Sequence, residues 1–302
     1  MGFLDDVERF TNAEVFVNEP MVKHTTLHVG GTADYFIKPR WLKDVYTCYE
    51  LSKKYSLKLI TIGMGSNLLV SDKGFRGVVL SMENLNSIKE VDGEIVAYAG
   101  VKLKDFFKFL LSLGYTGFEG LVDIPASVGG AITMNAGANF CQIQDNLVRV
   151  FVIDENGLKV YDKKECDFHY RKSKFINSNQ TIAYACFSYP KGDIKETQSK
   201  IDAFREKRTK SQPKGFTAGS VFKNPKDMYS ASIIESLNLK GYGIGGAKIS
   251  EKHANFIVCE KGAKAQDVYN LINHVKNLVF REKGILLESE IQLLGDFDDI
   301  NW

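Results

Sequence analysis

Two glycine-rich segments constrain this chain more than any other feature of its sequence. The first, Gly63-Met64-Gly65-Ser66-Asn67, follows a predicted strand, and the second runs from Ile124 to Ala138 with many small residues and almost no charge. Glycines let backbone N–H groups converge on an anion and let the main chain approach a flat ligand closely. Neither segment carries a nucleophile elbow or metal ligands, so together they favour one large cofactor held mainly by main chain. Plain glycine turns and a tightly packed structural loop are the alternatives.

The first segment matches neither of the two common nucleotide-binding motifs. It is not Gly-x-Gly-x-x-Gly, and no P-loop lysine follows it, so neither a Rossmann fold nor a P-loop is indicated. Ser66 and Asn67 add side-chain donors that suit a pyrophosphate.

Composition and charge exclude several classes of protein. The chain has 302 residues, 44% hydrophobic and 25% charged, enough to bury a sizeable core in two or three compact units. A net charge of +2, with acids and bases interleaved, gives no signal for nucleic acid or an anionic membrane. No apolar run reaches the ~18 residues that span a bilayer, and the first residues lack a signal peptide, so we expect a cytoplasmic protein. The five cysteines are scattered singly, which predicts reduced thiols and no metal site.

Hydrophobic periodicity and turn residues predict a mixture of helices and strands. Asn156-Gly157 predicts the tight turn of a hairpin. The charged helix predicted over 194–210 is the candidate boundary between a larger N-terminal half and a smaller C-terminal unit, and 255–294 predicts a βαβ-like arrangement. Helices are expected over the first fifteen residues and at 41–55, 101–113, 194–210 and 265–283, and strands at 57–62, 147–153, 158–161, 255–259 and 286–294.

Five groups of residues, taken in their order along the chain, resemble the UDP-N-acetylenolpyruvoylglucosamine reductase family. They are Gly63 to Val70, Gly120 to Ala138, Tyr170-Arg171-x-Ser173-x-Phe175, Ala218 to Pro225, and Leu287 to Ile291. Each motif is moderately specific. The ordered set is highly specific and spans nearly the whole chain, from roughly residue 24 to residue 294.

The resemblance implies an α+β fold and a bacterial cell-wall precursor reaction. It implies a vanillyl-alcohol-oxidase/PCMH-type FAD-binding domain at 1–200, with subdomains at about 1–82 and 83–200, and an α+β substrate-binding domain at 201–302. It also implies non-covalent FAD, NADPH as hydride donor, and reduction of UDP-N-acetylglucosamine enolpyruvate to UDP-N-acetylmuramate. We expect a monomer without nucleic-acid, membrane or metal partners.

Three polar residues match the catalytic set of the family: Arg171, Ser220 and Glu290. In the family reaction a hydride adds to the outer carbon of an enol ether, and negative charge develops on the carbon beside a carboxylate. A fixed cation and one proton are therefore needed. The resemblance assigns Arg171 to the carboxylate, Ser220 to the proton and Glu290 to the role of second acid, whereas Glu288 is expected to face solvent. A surface salt bridge for Arg171 and a turn role for Ser220 are the alternatives.

The resemblance also assigns the binding residues. For Lys210 the alternative is a solvated helix face, and for His253 a simple loop histidine. The predicted cofactor-binding residues are Gly63, Met64, Gly65, Ser66, Asn67, Leu68, Pro125, Ala126, Ser127, Gly129, Gly130, Ala131, Asn135, Ala136 and Gly137. The predicted substrate-binding residues are Tyr170, Lys210, Asn224, Lys248 and His253.

The chain departs from the family pattern at a few positions. Asp123 and Ala126 stand where members commonly have glycine, and Phe216-Thr217 replaces a more usual Pro-Ser. No tyrosine-bearing insertion lies between Arg171 and Ser220, so the chain resembles the shorter of the two types in the family.

Two other functions stay open. One is a flavin oxidoreductase of the same superfamily that oxidises an alcohol with oxygen, and several of those attach flavin through a histidine near the first glycine loop. Residues 63–67 contain no histidine, which favours dissociable FAD. The other is a module that binds a nucleotide without catalysis, against which the full catalytic set argues.

Overall fold

The computed structural model describes residues 2–298 and forms two compact units. The first unit contains the chain up to Val17, Tyr35–Met64 and Gly77–Lys207. The second unit contains Asn18–Asp34, Gly65–Arg76 and the chain from Arg208 onward. The two units are groups of residues that pack together. The division into an FAD-binding domain at 1–200, with subdomains that meet near residue 82, and a substrate-binding domain at 201–302 stays a prediction.

Residues 2–298 form seven α-helices and sixteen strands, and many of the strands follow one another without an α-helix between them. The helices are α1 (Phe3–Phe10), α2 (Leu42–Lys54), α3 (Leu103–Ser112), α4 (Val128–Thr133), α5 (Ile194–Ser211), α6 (Ser230–Glu235) and α7 (Ala265–Lys283). The strands are β1 (Glu14–Pro20), β2 (Thr32–Lys38), β3 (Leu59–Ile62), β4 (Leu68–Val70), β5 (Phe75–Ser81), β6 (Ile88–Val91), β7 (Glu94–Tyr98), β8 (Gly137–Ala138), β9 (Cys141–Gln142), β10 (Leu147–Asp154), β11 (Gly157–Asp162), β12 (Thr181–Phe187), β13 (Gly243–Ile244), β14 (Ala247–Ile249), β15 (Ile257–Cys259) and β16 (Gln292–Leu294). Within residues 2–298, none of the helices combines the length and apolar character needed to cross a bilayer.

Two sheets organise the first unit. One has the strand order β1-β2-β5-β3, with β3 and β5 parallel, and the other is antiparallel with the order β11-β10-β12-β7-β6. The helix predicted over 101–113 forms as α3, and its Phe106 and Leu110 are fully buried. They belong to one core with Phe118 and Phe187, which fixes the loop that follows α3 against the antiparallel sheet.

The predicted hairpin is confirmed. β10 and β11 pair antiparallel with Asp154 opposite Gly157, so Glu155-Asn156 forms the turn. Gly157 has a φ of +100°, and the Asn156 N–H donates to Asp154 Oδ1 at 2.8 Å. Of the predicted Asn-Gly pair only Gly157 has a positive φ, which glycine adopts at little steric cost.

The second unit is built around α7. This helix has the predicted bounds and ends at Gly284, whose φ is +68°. Its apolar face, which includes Leu271 and Val275, is buried in a core shared with the antiparallel sheet β13-β14-β15. A separate parallel pair joins β4 to β16.

The strand predicted over 286–294 is wrong for most of its length. Only Gln292–Leu294 forms a strand, and it pairs with β4 and not with β15, so the predicted βαβ arrangement of 255–294 does not form. The preceding residues are extended beside Val221–Lys223, because the Glu290 N–H donates to the Val221 carbonyl and the Lys223 N–H to the Glu288 carbonyl. Glu288 is exposed, as expected, and Leu287 and Ile291 are buried.

Candidate active site

The two glycine-rich segments meet within the first unit. A Cβ on Gly63 would lie 2.5 Å from Ser127 Oγ and 3.7 Å from the Cα of Gly130. A side chain at position 63 would therefore displace its neighbours, and only glycine permits this approach. Ser127 itself caps α4, because its Oγ accepts a hydrogen bond from the Gly130 N–H at 3.3 Å.

The predicted cofactor residues differ in exposure. Gly65, Ser127, Gly129, Ala131, Asn135 and Gly137 are buried, Gly63, Met64, Ser66, Asn67, Leu68, Ala126, Gly130 and Ala136 are half-buried, and Pro125 is exposed. The Gly129 N–H donates to the Ala99 carbonyl at 2.9 Å, which holds α4 against the end of β7. Gly65 has a φ of +62° and lies in the second unit.

One buried polar atom beside α4 fits a bound cofactor. Asn135 is fully buried, and within residues 2–298 its Oδ1 atom has no hydrogen-bond partner. A buried acceptor of this kind normally finds a donor. The imide N–H of a flavin is a donor of the required type, so the residues of the first unit fit FAD.

A tight turn presents Arg171 in the first unit. His169 and Lys172 exchange backbone hydrogen bonds of 3.0 and 3.1 Å, which leaves Tyr170 and Arg171 at the tip. Arg171 has a φ of +55°, and its Nη2 donates to the Gly137 carbonyl at 2.6 Å. The structure therefore brings Arg171 to the second glycine-rich segment. Tyr170 is 51% exposed, and its ring centroid lies 5.2 Å from the Arg171 guanidinium carbon.

Backbone hydrogen bonds hold Ser220 in the second unit. Ser220 pairs with Phe256 in an isolated bridge, and the Val221 N–H donates to the Asn255 carbonyl at 2.8 Å. The Ser220 side chain makes no hydrogen bond to any of the described residues. A serine that stabilises a turn would use its hydroxyl for that purpose, so the structure gives the turn alternative no support.

Glu290 lies on the extended segment beside that of Ser220. Its N–H donates to the Val221 carbonyl at 2.8 Å, and its own carbonyl accepts from Asn67 Nδ2 at 2.9 Å. The Asn67 carbonyl in turn accepts from the Gln292 N–H at 3.0 Å. Ser220 and Glu290 are thus brought together on neighbouring segments, and Asn67 fixes the main chain of Glu290.

The predicted substrate residues of the second unit are dispersed over several elements. Lys210 is exposed in the last turn of α5, and Lys248 is exposed on β14 opposite Val258. Asn224 Oδ1 accepts from the Ser230 N–H at 3.0 Å, which fixes the start of α6. These three residues thus lie on α5, on β14 and on the segment before α6.

His253 has a defined role in its own loop. Its Nδ1 accepts a hydrogen bond from the Asn255 N–H at 3.3 Å, and its ring packs against Phe256 with centroids 4.7 Å apart. Burial lowers the pKa of His253, and the positive charge of Lys240 lowers it further. Both effects favour the neutral imidazole, and the contacts of His253 within its own loop are those expected of a loop histidine.

Asn255 is a residue that sequence reasoning missed. It is 4% exposed, and its side chain bonds both backbone groups of Phe222: Oδ1 accepts from the N–H at 2.9 Å and Nδ2 donates to the carbonyl at 2.8 Å. It thereby holds the segment that carries Ser220. The sequence feature that could have identified Asn255 is its position as a polar residue at the start of the apolar run 255–259.

Two family models match the chain. The UDP-N-acetylenolpyruvoylglucosamine reductase C-terminal domain matches residues 212–294, and the FAD binding domain matches residues 33–160. The second match confirms the prediction of FAD as cofactor.

Individual proteins give the same result. A UDP-N-acetylenolpyruvoylglucosamine reductase of Carboxydothermus hydrogenoformans is 41% identical, covering 97% of this chain and 98% of its own length. That of Halalkalibacterium halodurans is 39% identical, covering 94% and 95%. The solved structure of the reductase from Thermus caldophilus is 30% identical, with a TM-score of 0.82, and the match covers 95% of this chain and 100% of that one.

A more distant structure shares the fold of the larger part. The BBE-like 1 protein of Physcomitrella patens is 15% identical with a TM-score of 0.51, over 63% of this chain and 45% of its own. Together with the reductase structure, it confirms the predicted α+β fold with a PCMH-type FAD-binding domain. At 41% identity over 97% of its length, the chain belongs to the UDP-N-acetylenolpyruvoylglucosamine reductase family.

Proposed function

We propose that this protein uses NADPH and non-covalently bound FAD to reduce UDP-N-acetylglucosamine enolpyruvate to UDP-N-acetylmuramate, with Ser220 as the proton donor. The observation that carries the proposal is the Ser220 hydroxyl. It lies on a segment held from both sides by backbone hydrogen bonds, and it has no hydrogen-bond partner among residues 2–298. A hydroxyl on a main chain fixed in this way, with no structural hydrogen bond of its own, suits proton delivery.

Arg171 stabilises the charge that develops on the substrate. The bound flavin supplies the hydride that adds to the outer carbon of the enol ether. Negative charge then spreads from the inner carbon into the adjacent carboxylate, and the guanidinium of Arg171 stays protonated and matches a carboxylate bidentately. Its hydrogen bond to the Gly137 carbonyl prevents it from turning into solvent.

Ser220 delivers the proton to the inner carbon. A serine hydroxyl is a weak acid, but the enolate that it meets is a strong base, so transfer over a short distance is feasible. Glu290 acts as the second acid, and its main chain is bonded to Val221, the residue after Ser220.

Exposed cations and amides bind the nucleotide part of the substrate. Lys210 and Lys248 supply positive charge for the diphosphate, and Asn224, Tyr170 and His253 complete the predicted set. NADPH and the UDP-sugar use the same pocket in turn. FAD is held by the glycine-rich segments and is dissociable, because residues 63–67 contain no histidine to attach it.

We also propose that the enzyme acts as a cytoplasmic monomer. The five cysteines are free thiols, which suits a reducing compartment. Sedimentation of the FAD-loaded protein tests the monomer.

The proposal is tested by mixing the purified protein anaerobically with NADPH and following flavin absorbance. We expect bleaching with NADPH and recovery of the colour on adding the enolpyruvyl sugar, whereas UDP-N-acetylglucosamine, which lacks the enolpyruvyl group, should leave the flavin reduced. If the reduced flavin is reoxidised by oxygen and not by the enolpyruvyl sugar, the proposal is overturned in favour of an oxidase. A colourless protein that does not take up added FAD would overturn it in favour of a binding module.

A further inference from the structure

We infer that Asn135 is a positioning residue for Arg171: its side-chain amide holds the turn that presents the arginine. This inference rests on the role proposed for Arg171. It gives Asn135 a function beyond cofactor binding, because it acts on a residue of the chain itself.

The turn at 169–172 depends on an unfavourable backbone conformation. Arg171 has a φ of +55°, in the left-handed region that side chains other than glycine, asparagine and aspartate seldom adopt. Such a conformation persists only where the surroundings fix it. The turn therefore needs an external attachment that keeps Arg171 at its tip.

Asn135 supplies that attachment. Its Nδ2 donates to the His169 carbonyl at 2.9 Å and to Gln142 Oε1 at 2.8 Å. The orientation of the amide is determined, because a backbone carbonyl can only accept and the atom facing it must be the nitrogen. Asn135 is 0% exposed and itself has a φ of +42°, so it has little freedom to move.

Two connections thus locate Arg171, one at its side chain and one at its main chain. The guanidinium is bonded to the Gly137 carbonyl, and the residue two positions before it is bonded to Asn135. Loss of the second connection frees the turn to relax from its left-handed conformation and moves the guanidinium. A displacement of ~1 Å in a positioning element costs about 10²-fold in rate.

The decisive experiment is a double-mutant cycle with Asn135→Gly and Arg171→Ala in the FAD-loaded enzyme. Glycine keeps the positive φ at position 135 while removing the amide. With FAD at a concentration that fills its site in both enzymes, Asn135→Gly alone should slow flavin reoxidation by the enolpyruvyl sugar about 10- to 100-fold. In the Arg171→Ala background it should slow reoxidation less than about 3-fold further, because residues acting as a unit are non-additive.

Hydrogen exchange provides a readout that does not depend on activity. The Lys172 N–H, which donates to the His169 carbonyl, should exchange at least about tenfold faster in Asn135→Gly than in the parent. If the glycine variant folds poorly, Asn135→Asp replaces it, because aspartate tolerates positive φ and its ionised carboxylate cannot donate a hydrogen bond. It should speed exchange at Lys172 in the same way. Gln142→Ala is the matched control, since it removes the other acceptor of the Asn135 amide, an oxygen that also accepts from Gln144 Nε2 at 3.0 Å, and keeps the bond from Asn135 to the His169 carbonyl. It should leave the exchange and the rates unchanged.

The outcomes separate this inference from the proposed function. An equal slowing by Asn135→Gly with and without Arg171 would overturn the positioning role, and so would unchanged exchange at Lys172. A large rise in the Kd for FAD with an intact turn would make Asn135 a cofactor ligand through Oδ1 instead. If Arg171→Ala alone leaves reoxidation unchanged while exchange at Lys172 responds to Asn135→Gly, the catalytic role of Arg171 fails and the attachment of the turn stands.

Discussion

Replacing Ser220 with alanine separates its chemical role from a structural one. The side chain makes no hydrogen bond to the described residues, and the segment is held through the main chain of Val221 and Phe256. Alanine keeps the Cβ and loses only the hydroxyl. No interaction is broken, so the free energy of unfolding should change by less than ~0.5 kcal/mol, as for an ordinary surface substitution.

The effect on catalysis should be far larger. A positioned acid contributes about 10²- to 10⁴-fold in rate. At about 1.4 kcal/mol for each factor of ten, the activation free energy of substrate reduction should rise by about 3 to 5.5 kcal/mol. The two changes differ several-fold in free energy, so a loss of rate in a variant of unchanged stability cannot come from unfolding.

Stopped-flow absorbance resolves the two half-reactions in the Ser220→Ala enzyme. Flavin reduction by NADPH should stay close to the parental rate, and only reoxidation by the enolpyruvyl sugar should fail. Ser220→Cys should recover part of the activity, because a thiol also delivers a proton. If the reduced alanine variant is reoxidised as fast as the parent, Ser220 is not the acid, and the mechanism must be redrawn around Glu290 or water.

Three further changes test other parts of the molecule. Gly130→Asp should yield protein without flavin, whereas Gly130→Ala should retain flavin, and the absorbance of the purified proteins measures both. A Cβ at position 130 lies an ordinary 3.5 Å from Ser127 Oγ, so only the negative carboxylate of aspartate opposes a pyrophosphate. Retention of flavin by both variants would contradict the cofactor placement. Lys210→Ala should raise the KM for the UDP-sugar more than it lowers kcat, the signature of lost uniform binding, and an unchanged KM would remove Lys210 from the site. Burial alone would raise the pKa of Asp154, but hydrogen bonds from Lys159, the Asn156 N–H and Gln180 more than offset it and lower the pKa. This stabilisation is present above the ordinary carboxyl pKa of ~3.9 and is lost as pH falls through the lower folded-state value, so Asp154→Asn should flatten the decline of Tm with acid, and an identical decline would refute the linkage.

Local patterns predicted local structure well. Periodicity located α7 from Ala265 to Lys283, and Asn156-Gly157 located the turn between β10 and β11. The pairing of β16 with β4 was not predictable, because Leu69 and Leu293 lie far apart in the sequence and either strand could satisfy its hydrogen bonds elsewhere. The exposure of Glu288 was predicted correctly, but the sequence did not identify Val221–Lys223 as the segment beside it.

The candidate site shows the same limit at the level of side chains. The family resemblance assigned Asn67 and Asn135 to the cofactor, and the side-chain amide of Asn67 is a suitable donor. In the structure the Nδ2 of Asn67 donates to the Glu290 carbonyl, and that of Asn135 donates to the His169 carbonyl. Asn255 does the same for Phe222. The sequence shows which side chains carry hydrogen-bond donors. The backbone carbonyl that accepts from each donor belongs to a segment distant in the sequence, so the fold decides the pairing. Both cofactor assignments therefore stay predictions.

The departure at Asp123 follows from the backbone. Asp123 has a φ of +64°, a conformation that glycine adopts at no steric cost and that aspartate tolerates better than most residues. Its carboxylate accepts hydrogen bonds from Arg205 Nε at 2.8 Å and Nη2 at 3.3 Å. A half-exposed ion pair stabilises by up to ~1 kcal/mol, which is close to the ~1 kcal/mol that a single left-handed residue costs. At position 123 the loop therefore has the left-handed backbone conformation that a glycine would adopt. Asn135 and Arg171 follow the same rule, since each has a positive φ and each is fixed through its own side chain.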